Sequence, residues 1–253
     1  QEVEIIHAPE GGEFKTESKY GNRYWVGETN GKNQLNFTYE VIRKEKTPYE
    51  EENTKPSSYL GASPLMPVGG RFEGIVADIL KGKEEDSKLM QARAIYDYII
   101  DTVRYRKAGK YGTGDANYAC DTRSGNCTEF HSLFISLTRS AGIPARFAIG
   151  AAIPSSRDEG GVNGYHCWAE FYADGKWWPV DISEANKYSD LATYYFGHHP
   201  ANRIELSKGR NIQFNPGPAA GALSFFAYPV LQVDGAEIPV AKTTFSFERT
   251  TVN

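Results

Sequence analysis

Two stretches of the chain place apolar residues at helical spacing. In EEDSKLMQARAIYDYIIDTVRY, Leu89, Ala92, Tyr96, Ile99 and Val103 share one face behind a run of acids, which predicts a packed helix. In NCTEFHSLFISLTRSAGIP, Phe130, Leu133, Phe134, Leu137 and Ala141 form a second stripe, and Gly142 with Pro144 supplies the stop. That helix is predicted to start at Asn126, to bury its stripe and to turn His131 toward solvent.

Elsewhere the period is two. EVEII, RYWVGE and LNFTYEVIR in residues 1–45 read as strands and hairpins. TPYEEENTKPSSYLGASPLMPVGG reads as a loop or linker. A soft boundary is therefore expected near residue 70, separating a β-rich segment and linker (1–70) from a second domain (71–253). KAGKYGTGDANYACDTRSG is an irregular, Gly-rich approach to Cys127, and loops of that length in a compact domain are often functional. Around Asp234-Gly235 the carboxyl-terminal segment alternates as a hairpin, expected to complete the main sheet.

GYHCWAEFYADGKWWPVDIS alternates with Tyr165, Cys167, Ala169 and Phe171 on one face and His166, Trp168, Glu170 and Tyr172 on the other. A two-residue turn at Asp174-Gly175 sets the register. Ala173 then lies opposite Lys176, Trp168 opposite Asp181 and His166 opposite Ser183. His166 and Asp181 become diagonal neighbours on one face, within reach of each other. Arg146, alternating with Phe147 and Ile149, is expected on an exposed face. Trp177 and Trp178 read as core and rim of the hairpin, and TYYFGHHP as a packed corner. Glu170 is either a supporting partner of His166 or solvated.

Composition narrows the classes. The chain has 253 residues, 40% hydrophobic, with a formal net charge of −4, enough to bury one substantial core or two smaller ones. No apolar run approaches the roughly 18 residues of a membrane span. No Lys/Arg cluster of the kind that tracks phosphates is present, so nucleic acid is not an expected partner. A chain opening on Gln1 suggests a removed leader or tag, and the expected location is periplasmic or secreted, otherwise cytoplasmic.

Three cysteines are too few for a disulfide scaffold, and their odd number leaves at least one thiol free or intermolecular. Cys127, in the first turn of the second helix, is either a small core residue or a thiol placed for chemistry. The helix N-terminus favours a thiolate by roughly 0.3 to 1 kcal/mol, less than one pKa unit at about 1.36 kcal/mol each. A nucleophile needs a histidine as well. Among five histidines, His7 lies in the amino-terminal strands, His131 on the outward side of the helix, and His198 and His199 in a loop. His166 remains, with Asp181 able to hold its tautomer.

A zinc set of Cys120, Cys127, His166 and Cys167 lacks any C-x-x-C pair, and His166 and Cys167 point to opposite sides of a strand. No metal and no cofactor are expected. Cys120 and Cys167 read as packing residues.

The order GNCTEF, YHCWAEFY, WWPVD over roughly residues 85–200 resembles the transglutaminase-like superfamily, a branch of the papain-like cysteine enzymes. The resemblance implies an α+β fold, a papain-like transglutaminase core with a Cys-bearing helix packed on an antiparallel sheet. It implies Cys127 as nucleophile, His166 as general base and acid, and Asp181 as orienting carboxylate. It further implies acyl transfer on amide or peptide carbonyls of a protein or peptide substrate, through a thioester resolved by water or an amine. The backbone N–H of Cys127 is one expected oxyanion donor; Asn126, Asn117 and Tyr118 are candidates for another, and Trp168 for support. A silent fold that binds a peptide or glycan is the competing reading, and thiol reactivity separates the two.

Overall fold

Capping side chains mark where helices begin in this computed structural model, which describes residues 1–52, 54–240 and 242–250. In chain order the elements are β1 (Glu2–His7), β2 (Gly12–Thr16), β3 (Arg23–Gly27), β4 (Thr38–Ile42), α1 (Arg71–Ile79), α2 (Lys88–Thr102), β5 (Arg104–Tyr105), α3 (Ala116–Thr122), β6 (Ser124–Gly125) and α4 (Cys127–Ser140). They continue with β7 (Ala145–Ala152), β8 (Glu159–Val162), β9 (His166–Ala173), β10 (Lys176–Val180), α5 (Ile182–Lys187), β11 (Arg203–Lys208), β12 (Leu231–Val233), β13 (Ala236–Ile238) and β14 (Phe245–Glu248). The fold is α+β, as expected.

The chain divides into two compact units, one of Gln1–Lys44, Ile149–Tyr165 and Ala201–Asn253, the other of Glu45–Ala148 and His166–Pro200. The boundary expected near residue 70 does not coincide with this division. Residues 45–52 are drawn into the second unit because Lys46 bridges to His199 and Tyr49 to Trp177. The carboxyl-terminal strands fall in the first unit. There β1 pairs with β4, β2 with β3 and β8 with β14, all antiparallel. The Asp234-Gly235 hairpin forms as predicted, but β12 and β13 make their own two-stranded sheet and do not extend the main one.

The second unit is built around α4. Asn126 caps it through Oδ1, which accepts the Thr128 N–H at 2.8 Å, and Glu129 Oε2 answers by accepting the Asn126 N–H at 2.9 Å, a reciprocal capping box. Gly142, at φ 73°, ends the helix. Helices α1, α2, α3 and α5 and strand β9 all pack on α4, so every residue from Cys127 to Arg139 is buried. The expectation of a solvent side, and of an outward His131, is thereby overturned: a helix surrounded on all sides has no wet face. Its polar groups are satisfied internally. Thr138 Oγ1 donates to the Phe134 carbonyl at 2.8 Å, and Arg139 donates to the Ala145 and Gly61 carbonyls.

Beside α4, β10 pairs antiparallel with β9, with Ala173 opposite Lys176 as the turn predicted. Asp174 and Gly175 take φ of 52° and 79°, the left-handed pair that a tight hairpin turn requires. Arg146, expected outside, is buried. Its guanidinium lies 3.9 Å from the centroid of Trp177 and 2.8 Å from Glu170 Oε2. Glu170 is fully buried and also accepts from Tyr49 OH at 2.8 Å and from Lys46 Nζ. An ion network occupies a strand face that the alternation assigned to water.

Candidate active site

Three elements of the second unit bring the candidate residues together. The first turn of α4 carries Cys127, the first residue of β9 is His166, and Asp181 follows the last residue of β10. The hairpin register places Val180 opposite Ala169, so Asp181 continues toward Trp168 and the diagonal to His166. Asp181 itself is no longer strand. It is the N-cap of α5, a helix that periodicity did not reveal.

His166 Nε2 stands 2.6 Å from Asp181 Oδ2. That leaves Nδ1 as the nitrogen available to sulfur, and the Cys127 thiol is hydrogen-bonded by both the Cys167 thiol and the His166 ring. Chiefly the Cys167 contact, and with it His166, holds the Cys127 thiol down at about 5, against burial, which pushes it up. Burial alone would depress His166; the Asp181 carboxylate outweighs it and raises the imidazole to about 10. Asp181 lies well below the usual carboxylate range, because its imidazole neighbours overcome the cost of burial. Both shifts favour a thiolate beside an imidazolium over a neutral pair.

Cys167 is therefore more than the packing residue the alternation suggested. Its side chain approaches the α4 N-terminus, with Sγ 3.9 Å from His131 Nδ1. Cys120, half-buried on α3, accepts from Arg71 Nη2 at 3.2 Å, away from Cys127. All three cysteines are free thiols.

Two further imidazoles surround the acid. His131 Nε2 lies 3.7 Å from Asp181 Oδ1 and His199 Nε2 lies 3.6 Å from Asp181 Oδ2, both fully buried. His199, assigned to a loop corner, packs on Trp168 with centroids 4.6 Å apart, and Trp168 lies 6.3 Å from the His166 ring. Trp168 thus walls the His–Asp pair. His131 had a signal in the sequence: four residues after Cys127 is one turn along the same side of a helix.

The oxyanion candidates have other tasks. The Asn126 carboxamide caps α4 and also accepts from Thr128 Oγ1 at 2.6 Å. Asn117, in the first turn of α3, has its N–H held by Asp115 at 2.9 Å. Tyr118 OH donates to the Ala108 carbonyl at 3.0 Å. Glu129, which no pattern singled out, organises the approach loop: its Oε1 accepts the N–H groups of Gly112 at 2.9 Å and Gly114 at 2.7 Å.

Residues 73–182 match the profile of the transglutaminase-like superfamily. An uncharacterized protein of Haemophilus influenzae is 30% identical over 212 residues, which are 70% of this chain and 57% of that protein. The chain thus spans little more than half the length of that relative. The crystal structure of a candidate cysteine protease from Cytophaga hutchinsonii superimposes with TM-score 0.56 and 17% identity, over 99% of this chain and 82% of that one; this is a likeness of fold. The periplasmic domain of TgpA from Pseudomonas aeruginosa superimposes with TM-score 0.41 and 14% identity, over 75% of this chain and 88% of that domain.

Proposed function

We propose that this chain, which carries a transglutaminase-like domain in residues 73–182, is a cysteine-dependent acyl-transfer enzyme acting on amide or peptide carbonyls. The observation that supports the reading is the 2.6 Å contact of His166 with Asp181 beside a thiol whose ionisation the Cys167 contact and His166 favour. An inert buried cysteine has no use for a charged imidazole and a carboxylate behind it.

The chemistry follows from the protonation states. The Cys127 thiolate attacks the carbonyl carbon, and the negative charge moves to oxygen, where the Cys127 N–H at the head of α4 is the donor in position. The C–N bond breaks as the His166 imidazolium gives its proton to the departing amine or ammonia, leaving a thioester and a neutral imidazole. His166 then takes a proton from water or from an incoming amine as that group attacks the thioester. The C–S bond breaks, and the thiolate and imidazolium are restored. Asp181 keeps Nε2 protonated throughout and supports the charge. Water yields an acid and a lysine amine yields a crosslink.

The test offers peptide glutamine and peptide amides to wild type and to Cys127→Ala, with and without a primary amine. Turnover confined to wild type supports the reading. Ammonia or peptide release without amine incorporation assigns hydrolysis, and incorporation assigns transamidation. Equal, slow alkylation of Cys120, Cys127 and Cys167 by iodoacetamide would overturn it. The periplasmic or secreted location expected from the sequence belongs to the same proposal and is tested by cell fractionation.

A further inference from the structure

His131 is one of three imidazoles around Asp181, and the chemistry above leaves it without a task. It is fully buried on α4. Its Nδ1 lies 2.7 Å from the carbonyl oxygen of Cys127, and its Nε2 lies 3.1 Å from the backbone nitrogen of Ile182. A carbonyl can only accept and an amide N–H can only donate. Nδ1 therefore carries the hydrogen and Nε2 the lone pair, which fixes a neutral ring in one tautomer.

We propose that His131 is a positioning residue of this site: it ties the carbonyl of the nucleophile Cys127 to the N–H of Ile182, the residue after the acid, and so sets the spacing between sulfur and the His166–Asp181 pair. The inference rests on the acyl-transfer reading for its purpose and on the two contacts for its substance. The Ile182 end of the tie is a joint that its own helix leaves open. Ile182 is the first residue of α5, whose leading N–H groups have no partner within the helix; Asp181 Oδ1 takes that of Glu184 at 3.1 Å, and His131 takes that of Ile182. The other end is the carbonyl of Cys127, the first residue of α4. One ring therefore joins two helix heads that hold the nucleophile and the acid.

The ring does this without moving protons. The titratable groups facing it are Asp181, His166, His199, Cys127 and Cys167. Burial is the dominant influence and holds His131 at about 4, so the tie is intact wherever the thiolate exists. A ring protonated at Nε2 would lose the Ile182 bond. Misplacing reacting groups by about 1 Å costs on the order of a hundredfold in rate, so a tie of this kind matters although it touches no substrate.

Three variants separate positioning from packing. His131→Asn keeps a donor near Nδ1 and loses the acceptor for Ile182. His131→Gln keeps an acceptor near Nε2 and loses the donor to Cys127. His131→Phe keeps the ring volume and neither bond. The readout is iodoacetamide alkylation of Cys127 against pH, with urea stability measured in parallel on the whole chain. In His131→Phe the midpoint of the acid limb should rise by about one unit from about 5, a roughly twofold slower reaction at pH 6 that approaches tenfold near pH 4, and Asn and Gln should each recover part of it. If the folded variants keep the wild-type midpoint and differ only in urea stability, His131 is packing and the proposal falls. Should His131→Phe not fold, unchanged midpoints in both Asn and Gln overturn it equally. A wild-type midpoint near 9, the ordinary thiol value, would instead sink the acyl-transfer reading, whatever the variants do.

Discussion

One oxygen of Asp181 accepts the backbone N–H of Glu184 at 3.1 Å while the other faces His166 at 2.6 Å. The carboxylate is a helix cap and the imidazole's partner at once. Capping fixes Oδ1, and Ser183 Oγ donates to the same oxygen at 3.0 Å. Oδ2 is thereby presented to His166 in a single orientation.

Asp181→Asn keeps the cap, because asparagine caps as well as aspartate, but removes the charge. Without the carboxylate, burial returns His166 to the neutral form. The thiolate loses its counter-ion, and kcat/KM should fall on the order of 10³- to 10⁴-fold. Steady-state kinetics, with circular dichroism as the check that α5 persists, measures this.

Alkylation of wild-type Cys127 should be half-maximal near pH 5, the value to which its thiol is depressed. His166→Ala should move that midpoint upward toward the ordinary thiol value of 9.0. Amide turnover should decline again as pH passes about 10, where His166 loses the proton it gives to the leaving group. Peptide mapping after pulse labelling follows each cysteine separately.

The same pair makes stability depend on pH in a defined window. Between about 6.5 and 9.0, the ordinary values of imidazole and thiol, folded and unfolded pairs each hold one proton, and the contribution is flat. Below about 6.5 the unfolded chain binds the extra proton, so the stability given by the depressed Cys127 is lost as pH falls toward about 5. Above about 9.0 the folded pair alone keeps a proton, and the stability given by the raised His166 is lost toward about 10. Urea midpoints of wild type minus those of a Cys127→Ala, His166→Gln double variant should trace this plateau.

Arg146→Met removes one of the partners of a fully buried Glu170, which keeps Lys46 and Tyr49, and takes the guanidinium off Trp177. An uncompensated buried charge costs about 3–5 kcal/mol, and the loss here should be smaller because Lys46 stays paired with Glu170. Urea unfolding should show that loss, whereas the alkylation profile of Cys127 in the folded fraction should not change.

Glu129→Gln weakens the carboxylate that holds Gly112, Gly114 and Asn126. Charge-assisted bonds are about twice as strong as neutral ones, so the approach loop should open more often. Trypsin should cut faster after the exposed Lys107 and Lys110, and mass spectrometry of the fragments reads the sites.

Where one face of an element meets the core, alternation and helical spacing were sufficient. The α2 stripe of Ala92, Tyr96, Ile99 and Val103 is buried, and the hairpin turn placed Ala173 against Lys176. The same register aimed His166 at Asp181 across fifteen residues. Spacing failed where an element is enclosed. His131 and Arg146 were assigned to water because helical spacing and alternation each suppose a wet side, which neither α4 nor the Arg146 face of β7 has. A hint lay in the composition: apart from Glu129 and Arg139, CTEFHSLFISLTRS carries only Ser, Thr and His among its polar residues, which are groups that can be satisfied inside. His199 was out of reach, since the partnership of Lys46 with that residue joins positions 153 apart in a chain with no local pattern to announce it.

The enclosure of α4 has a consequence for how this site can fail. Amide hydrogens along that helix exchange with solvent only when the helices and strand that cover it separate, so their protection should equal that of the whole unit. The sulfur is thus mounted on the last piece to come loose, and no gentle fraying of its support precedes melting. Heat should therefore extinguish thiol reactivity and compactness in one step.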